Sequence, residues 1–251
     1  MASSNVVILL VGLHGAGKST FTRAATGRDD IELGRGVAPC TETCSTYSFN
    51  HAVTMEHGLY SKDSKFTIID TPGLADRNTT EQNLEVLQVI ANQLRHLGQE
   101  RVSGVIYFHS IEGVRLHGVD MANIRLLKAI CGAPFFPRVA FVTTRWDRMR
   151  DSDYEMLMKR NTELEGARKD LLPDGPEIFR FLNDGKSHQP VLEYFARKGN
   201  IAAQPPLLFA QELELYRQRK LKSAVKKTTA GKQVTTRRKV RKGGGGICSF
   251  L

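Results

Sequence analysis

Cysteine is scarce in this chain, with four in 251 residues, at Cys40, Cys44, Cys131 and Cys248. They are too few and too scattered for a disulfide framework, so Cys40, Cys44 and Cys131 are expected to be reduced thiols. Long apolar runs are absent too. The longest, Val6–Leu13, is broken by Gly12 and falls far short of the ~20 residues a membrane helix needs. Met1–Asn5 carries no basic segment before that run and no cleavage site follows it, so the sequence offers neither a signal peptide nor a transmembrane helix. Acidic residues are missing from one stretch: residues 217–251 hold 12 Lys and Arg and no Asp or Glu, whereas residues 1–216 hold 24 against 26. The formal charge of +10 therefore belongs to the C-terminal stretch, and any partner chosen by charge is a partner of that stretch. It also carries no aromatic between Arg217 and Phe250, which excludes a base-stacking platform for nucleic acid. What remains is ordinary: 41% hydrophobic and 25% charged residues, enough to bury a core.

Short β-branched runs alternate with helical periods. Asn5–Val11, Thr46–Glu56, Lys65–Asp70, Val102–Phe108, Val139–Val142 and Ile178–Leu182 are expected strands, the second at a sheet edge. Ser19–Ala25, a helix from Thr80 through Leu94, another through Met121–Cys131, Tyr154–Leu171 and Val191–Ala196 are expected helices. Such alternation means an α/β fold in three layers, a mostly parallel six-stranded sheet covered on both faces, with ligands at the carboxyl ends of the strands. This domain is expected over 1–200. Beyond Pro205-Pro206 the sequence predicts a helical extension over 201–225, one helix Leu207–Val225 with Leu208, Gln211, Leu215 and Lys222 on one face. Residues 226–251 show no core-forming pattern and are expected to be a flexible polybasic tail.

Gly12-Leu13-His14-Gly15-Ala16-Gly17-Lys18-Ser19 matches G-x-x-x-x-G-K-S/T between an expected strand and helix. Its glycines let successive N–H groups curl round phosphates at a helix N-terminus; Gly12, His14, Gly15, Ala16, Gly17 and Thr20 join in that cradle. Lys18 suits the β- and γ-phosphates, and Ser19 offers a hydroxyl to Mg²⁺. Asp70-Thr71-Pro72-Gly73 ends a strand, where Asp70 would support the metal and the Gly73 N–H would meet a γ-phosphate. Thr144-Arg145-Trp146-Asp147 follows another strand and resembles an N/T-K-x-D motif. A carboxylate at Asp147 can accept from guanine N1–H and the exocyclic amine, which adenine does not present. Arg145 stands for the usual Lys and Thr144 for the commoner Asn.

With these motifs in order the chain resembles the P-loop GTPases of the translation-factor class over residues 5–200. It looks most like their GIMAP/septin-like branch, in particular fungal G-domain proteins. The residues that carry the likeness are Thr41-Glu42-Thr43-Cys44, Asp70 through Asp76, and Val142 through Asp147. The resemblance implies GTP and GDP as ligands, Mg²⁺ as cofactor, a switch threonine at Thr41 (Thr43 being the alternative) that ligates the metal, and a further guanine contact at Asn183. It also implies face-to-face dimers across the nucleotides, in which His14 either approaches the nucleotide or faces solvent. Leu74 stands where Ras-like members have the glutamine that orients the attacking water. Slow intrinsic hydrolysis follows, aided by a second protomer or an activating protein; the alternative is a nucleotide-locked scaffold that barely hydrolyses GTP. Neither Arg35 nor Arg77 is identified as an arginine finger.

Cys248-Ser249-Phe250-Leu251 reads as a C-a-a-X box with Leu at X, which points to geranylgeranylation. One lipid chain anchors reversibly, and Arg237 through Lys242 supplies the polybasic second signal toward an anionic membrane. The expected location is the cytoplasm, at the cytosolic face of a membrane once prenylated. Sequence-independent nucleic-acid binding is the alternative use of the same charges.

Overall fold

A computed structural model describes residues 5–33, 43–55, 60–74, 80–97, 101–112, 118–148, 152, 154–171, 176–198 and 206–242. Its centre is a six-stranded sheet. The strands are β1 (Asn5–Gly12), β2 (Ser45–Met55), β3 (Tyr60–Asp70), β4 (Gly104–Ser110), β5 (Val139–Thr144) and β6 (Glu177–Arg180), in the order β2-β3-β1-β4-β5-β6. Only the β2–β3 pair is antiparallel. The helices are α1 (Lys18–Thr26), α2 (Thr80–His96), α3 (Gly118–Cys131), α4 (Tyr154–Leu171), α5 (Gln189–Arg197), α6 (Leu208–Leu215), α7 (Leu221–Lys227) and α8 (Thr229–Lys242). No helix among the described residues is long and apolar enough to cross a membrane.

Alternation along β1 decides the layers. Val6, Ile8 and Leu10 pack with Phe21 of α1 and Val191, Leu192 and Phe195 of α5. Val7, Leu9 and Val11 point the other way, toward Leu87 and Ile90 of α2 and Ile124, Leu127 and Ile130 of α3. A strand buried on both faces has no polar side, and β1 accordingly reads as a continuous apolar run. Cys44 and Cys131 are free thiols; Cys40 lies outside the described residues.

The structure departs from the sequence reading in two elements. β3 starts at Tyr60 rather than Lys65, because the β2–β3 hairpin runs in unbroken register from Ser45↔Asp70 to Met55↔Tyr60. Backbone pairing carries that outer half, where Ser61, Lys62, Asp63 and Ser64 give no apolar signal. The second departure is at the C-terminal side. The helix expected over 207–225 breaks into α6 and α7, and the chain goes on to a further helix, α8 (Thr229–Lys242), where the sequence predicted a flexible tail. The buried face is Phe209 and Leu213 rather than Leu208 and Leu215, the latter being 80% exposed. Ala224, Val225, Ala230 and Val234 join the core shared with α2 and α3. Thr228 caps α8 by accepting the Gly231 N–H at 3.0 Å, and the Glu212 carboxylate accepts from Thr229 N and Oγ1 at 2.8 and 2.6 Å. So few and such small apolar residues make no recognisable stripe, yet two packed helices give them a surface to bury against.

Candidate nucleotide-binding site

The site lies at the carboxyl ends of β1, β3 and β5. Gly12 closes β1 because a Cβ there would come 2.7 Å from the Phe108 carbonyl oxygen of β4. Beyond it Gly15 and Gly17 hold φ of 68° and 90°, left-handed values that L side chains rarely adopt. Gly17 then opens α1 with no side-chain cap, leaving the first N–H groups of that helix to the loop. Lys18 is buried and lies back along the loop, its Nζ donating to Leu13 O at 3.0 Å and Gly12 O at 3.4 Å.

The end of β3 is fastened to this loop. The Leu74 N–H donates to Gly12 O at 2.9 Å, and the His14 N–H donates to Leu74 O at 3.0 Å. Thr71 Oγ1 donates to Leu10 O at 2.6 Å. Gly73 lies directly on His14, whose backbone a Cβ at Gly73 would strike. Asp70 is 2% exposed, and burial pushes its carboxyl group up, opposed by a hydrogen bond with the Ser19 side chain and by the Lys18 charge. Its Oδ1 has no hydrogen-bond partner. A buried carboxylate with one oxygen unpartnered, set beside a serine hydroxyl, fits a hard divalent cation such as Mg²⁺. Ser19 and Asp70 are thus brought together in the structure. Leu74 is fully buried in the core between Leu13 and α2.

From β5 comes the third part. Thr144 is buried and its Oγ1 donates to Ala16 O at 2.9 Å, while its methyl supports Gly17. Arg145, with φ 65°, forks onto Gly15 O through Nε at 3.0 Å and through Nη2. Asp147 is exposed in the short turn that follows, and Trp146 is held by Thr143 Oγ1 at 3.1 Å and by the Arg180 guanidinium over its ring. Asn183, with φ 55°, begins an exposed loop that closes on Asp184. The Ser187 and Lys186 N–H groups donate to that carboxylate and draw it down to about 2. Sequence reasoning missed Glu112, which follows β4 and pairs with Arg145 at 3.4 Å and Arg148 at 3.7 Å. No motif marks it. Thr20 and His14 are half-buried at the loop; Thr43 stands exposed before β2. Thr41, Arg35, Arg77 and Cys248 lie outside the described residues.

A glycine-rich loop between β1 and α1, with carboxylates at the ends of β3 and β5 on this sheet order, defines a P-loop NTPase fold of the G-domain type. Within that class the chain belongs to the AIG1 family, whose model matches residues 6–169. Solved structures agree on the fold. A dimerisation-deficient variant of Toc33 from Arabidopsis thaliana superposes with a TM-score of 0.59 at 16% identity, covering 81% of this chain and 87% of that one. Toc33 in complex with GDP and Mg²⁺ gives 0.56 at 17% identity, again covering 81% and 87%. A structure of the chloroplast translocon components atToc33 and psToc159, for whose GTPase activity dimerisation is described as important, gives 0.60 at 16%, covering 80% and 85%. A search of curated proteins finds no match to this chain.

Proposed function

We propose that this chain is a GTP-binding switch that hydrolyses GTP slowly and is activated by dimerisation or an activating protein. The observation that carries it is the buried Asp70 carboxylate, one oxygen unpartnered, meeting Ser19 and Lys18 beneath a loop fastened to the next strand. Lys18 would turn from the Leu13 carbonyl to the β- and γ-phosphates, the loop N–H groups would cradle them, and Ser19 with Asp70 would hold Mg²⁺. The metal supplies charge neutralisation on the phosphates. Asp147 would read guanine, with Asn183 as a further guanine contact and Thr144 and Arg145 bracing the phosphate loop. Thr41, or Thr43, would close on the γ-phosphate together with the Gly73 N–H. Because Leu74 is bonded to the phosphate loop and Gly73 packs against His14, loss of the γ-phosphate would be felt at the end of β3.

Toc33 bound to GDP and Mg²⁺, and the importance of dimerisation for GTPase activity in the chloroplast translocon components, support this reading. Here His14, half-buried in the phosphate loop, is the candidate side chain for contact with a second protomer's nucleotide. A second reading, a scaffold that binds GTP and scarcely hydrolyses it, is favoured by the burial of Leu74, which leaves no side chain at that position to orient water. Attachment to an anionic membrane through a prenyl group on Cys248 and the basic residues around 217–242 completes the proposal. It places the protein at the cytosolic face of a membrane, with nucleic acid as the lesser candidate for the same charges. The finer likeness to fungal G-domain proteins rests on the spelling of its motifs.

GTP turnover per protomer, measured over a wide range of protein concentration with ATP as control, tests the switch. A specific rate that climbs with concentration supports activation by dimerisation. A negligible rate at every concentration, with tight GTP binding, leaves the scaffold reading.

A further inference from the structure

We infer that Glu112 is a positioning residue for guanine recognition, holding the two arginines that flank Asp147 away from its carboxylate. The inference rests on the reading of Asp147 as the guanine-binding residue. Arg145 and Arg148 stand two residues before and one residue after Asp147, in a turn so tight that the Arg148 N–H donates to Arg145 O at 3.4 Å. A guanidinium close to an exposed carboxylate readily forms a bidentate pair. Such a pair would occupy the oxygens that must accept guanine N1–H and the exocyclic amine. Glu112 offers one oxygen to each rival: Oε2 lies 3.4 Å from Arg145 Nε, and Oε1 lies 3.7 Å from Arg148 Nη1. Asp147 itself makes no ion pair among the described residues.

The fold fixes Glu112 where this is possible. Ser110 pairs with Thr144 in the sheet, and the next residue, Ile111, is buried and donates its N–H to Thr144 O at 3.1 Å. Ser110 Oγ then accepts the Glu112 N–H at 3.3 Å and lies 3.4 Å from Oε2. The carboxylate is therefore delivered by the strand beside the guanine motif, not by the motif. Arg145 gains a second role from it. One guanidinium reaches both Gly15 O and Glu112, so the phosphate loop, the motif and the β4 end share one junction. The Glu112 side chain is 37% exposed, so each pair is weak and the effect lies in where the arginines point.

Equilibrium binding of GTP, ITP and ATP to the full chain tests this. ITP lacks the exocyclic amine, so the GTP-to-ITP affinity ratio reports the Asp147 contact. Glu112→Gln is expected to lower that ratio about threefold, with ATP affinity unchanged. Arg148→Gln added to Glu112→Gln should restore it, and Glu112→Asp should keep it. GTP, ITP and ATP weakening together, with their ratios constant, would mean that Glu112 merely stiffens the loop and would overturn the inference. So would a lowered ratio that Arg148→Gln fails to restore. Asp147→Asn separates the underlying reading: an amide there should shift preference from GTP toward XTP. Should the order of GTP, ITP and XTP stay as it was, the guanine reading falls and Glu112 falls with it.

Discussion

Two neighbouring residues of one short segment, Asp70 and Leu74, are both buried, and burial serves opposite ends. Leu74 is 0% exposed, and its backbone bridges Leu13 of the phosphate loop. A glutamine there would not gain a water to orient. It would place an amide in the core and lose apolar contacts, at a cost of about 2–5 kcal/mol. Leu74→Gln is therefore expected to lower the urea midpoint while leaving single-turnover GTP hydrolysis no faster. Asp70 lies at 2% exposure with a carboxyl group raised by burial, an arrangement that weakens the empty protein and suits a cation. Asp70→Asn removes a buried carboxylate that burial disfavours, so the nucleotide-free protein should lose no stability, its urea midpoint staying level or rising. Its GTP affinity should lose most of its Mg²⁺ dependence in titrations with and without EDTA. An empty protein no less stable that has lost metal coupling is the signature of a ligand held at a cost to the fold.

At the scale of elements, the strands of the sheet centre were legible because each side of β1 meets a different helical layer, which leaves an uninterrupted apolar run. The motifs at the strand ends were legible for a related reason, since glycine at left-handed φ and a carboxylate beside a phosphate tolerate few substitutes. The outer half of β3 and helices α7 and α8 were not. Backbone pairing with β2 holds the first, and the second bury small Ala and Val side chains too few to stand out as a stripe. Gly231 shows how close that packing is, for a Cβ there would run into the Val225 carbonyl oxygen. Gly231→Val should separate α7 from α8, cost about 1–3 kcal/mol, and speed amide exchange over 221–242 while GTP still binds. A second element-scale contact joins β2 to α5. His188 is buried with Nδ1 unpartnered, and its ring centre lies 6.2 Å from that of His51. Burial lowers both histidines, with His51 further lowering His188, while Asp184 and Glu193 oppose. The unfolded chain then binds more protons than the folded one, so stability present above about pH 6.5 is lost as pH falls below it. Asp70 works in the opposite sense at lower pH, so the contribution of His188 is isolated by difference: urea midpoints of His188→Gln should fall less between pH 8 and pH 5 than those of the parent.

For the whole molecule, charge and fold divide the chain in different places. The 12 Lys and Arg of residues 217–251 start inside the packed helices, not beyond them. Along α7, Ala224 and Val225 face the core while Lys222, Lys226 and Lys227 are exposed, and Arg219 and Lys220 are exposed just before it. This basic surface therefore has a fixed orientation relative to α2 and the nucleotide site, which a free tether would not provide. Charges near an anionic leaflet contribute about 1 kcal/mol each and fade beyond a Debye length of about 8 Å, so a rigid face and a loose chain differ in which residues count. With the membrane reading taken up, the full chain without lipid should sediment with vesicles containing phosphatidylserine and not with phosphatidylcholine alone. Lys222, Lys226 and Lys227 changed together to Glu should weaken that binding about tenfold or more. High salt should abolish it for the unlipidated chain, and Cys248→Ser should remove the salt-resistant share in cells. Unaltered vesicle binding after the α7 reversal, with loss only on reversing Arg237, Arg238 and Lys239, would move the contact from α7 to the later turns of α8 and overturn the α7 assignment.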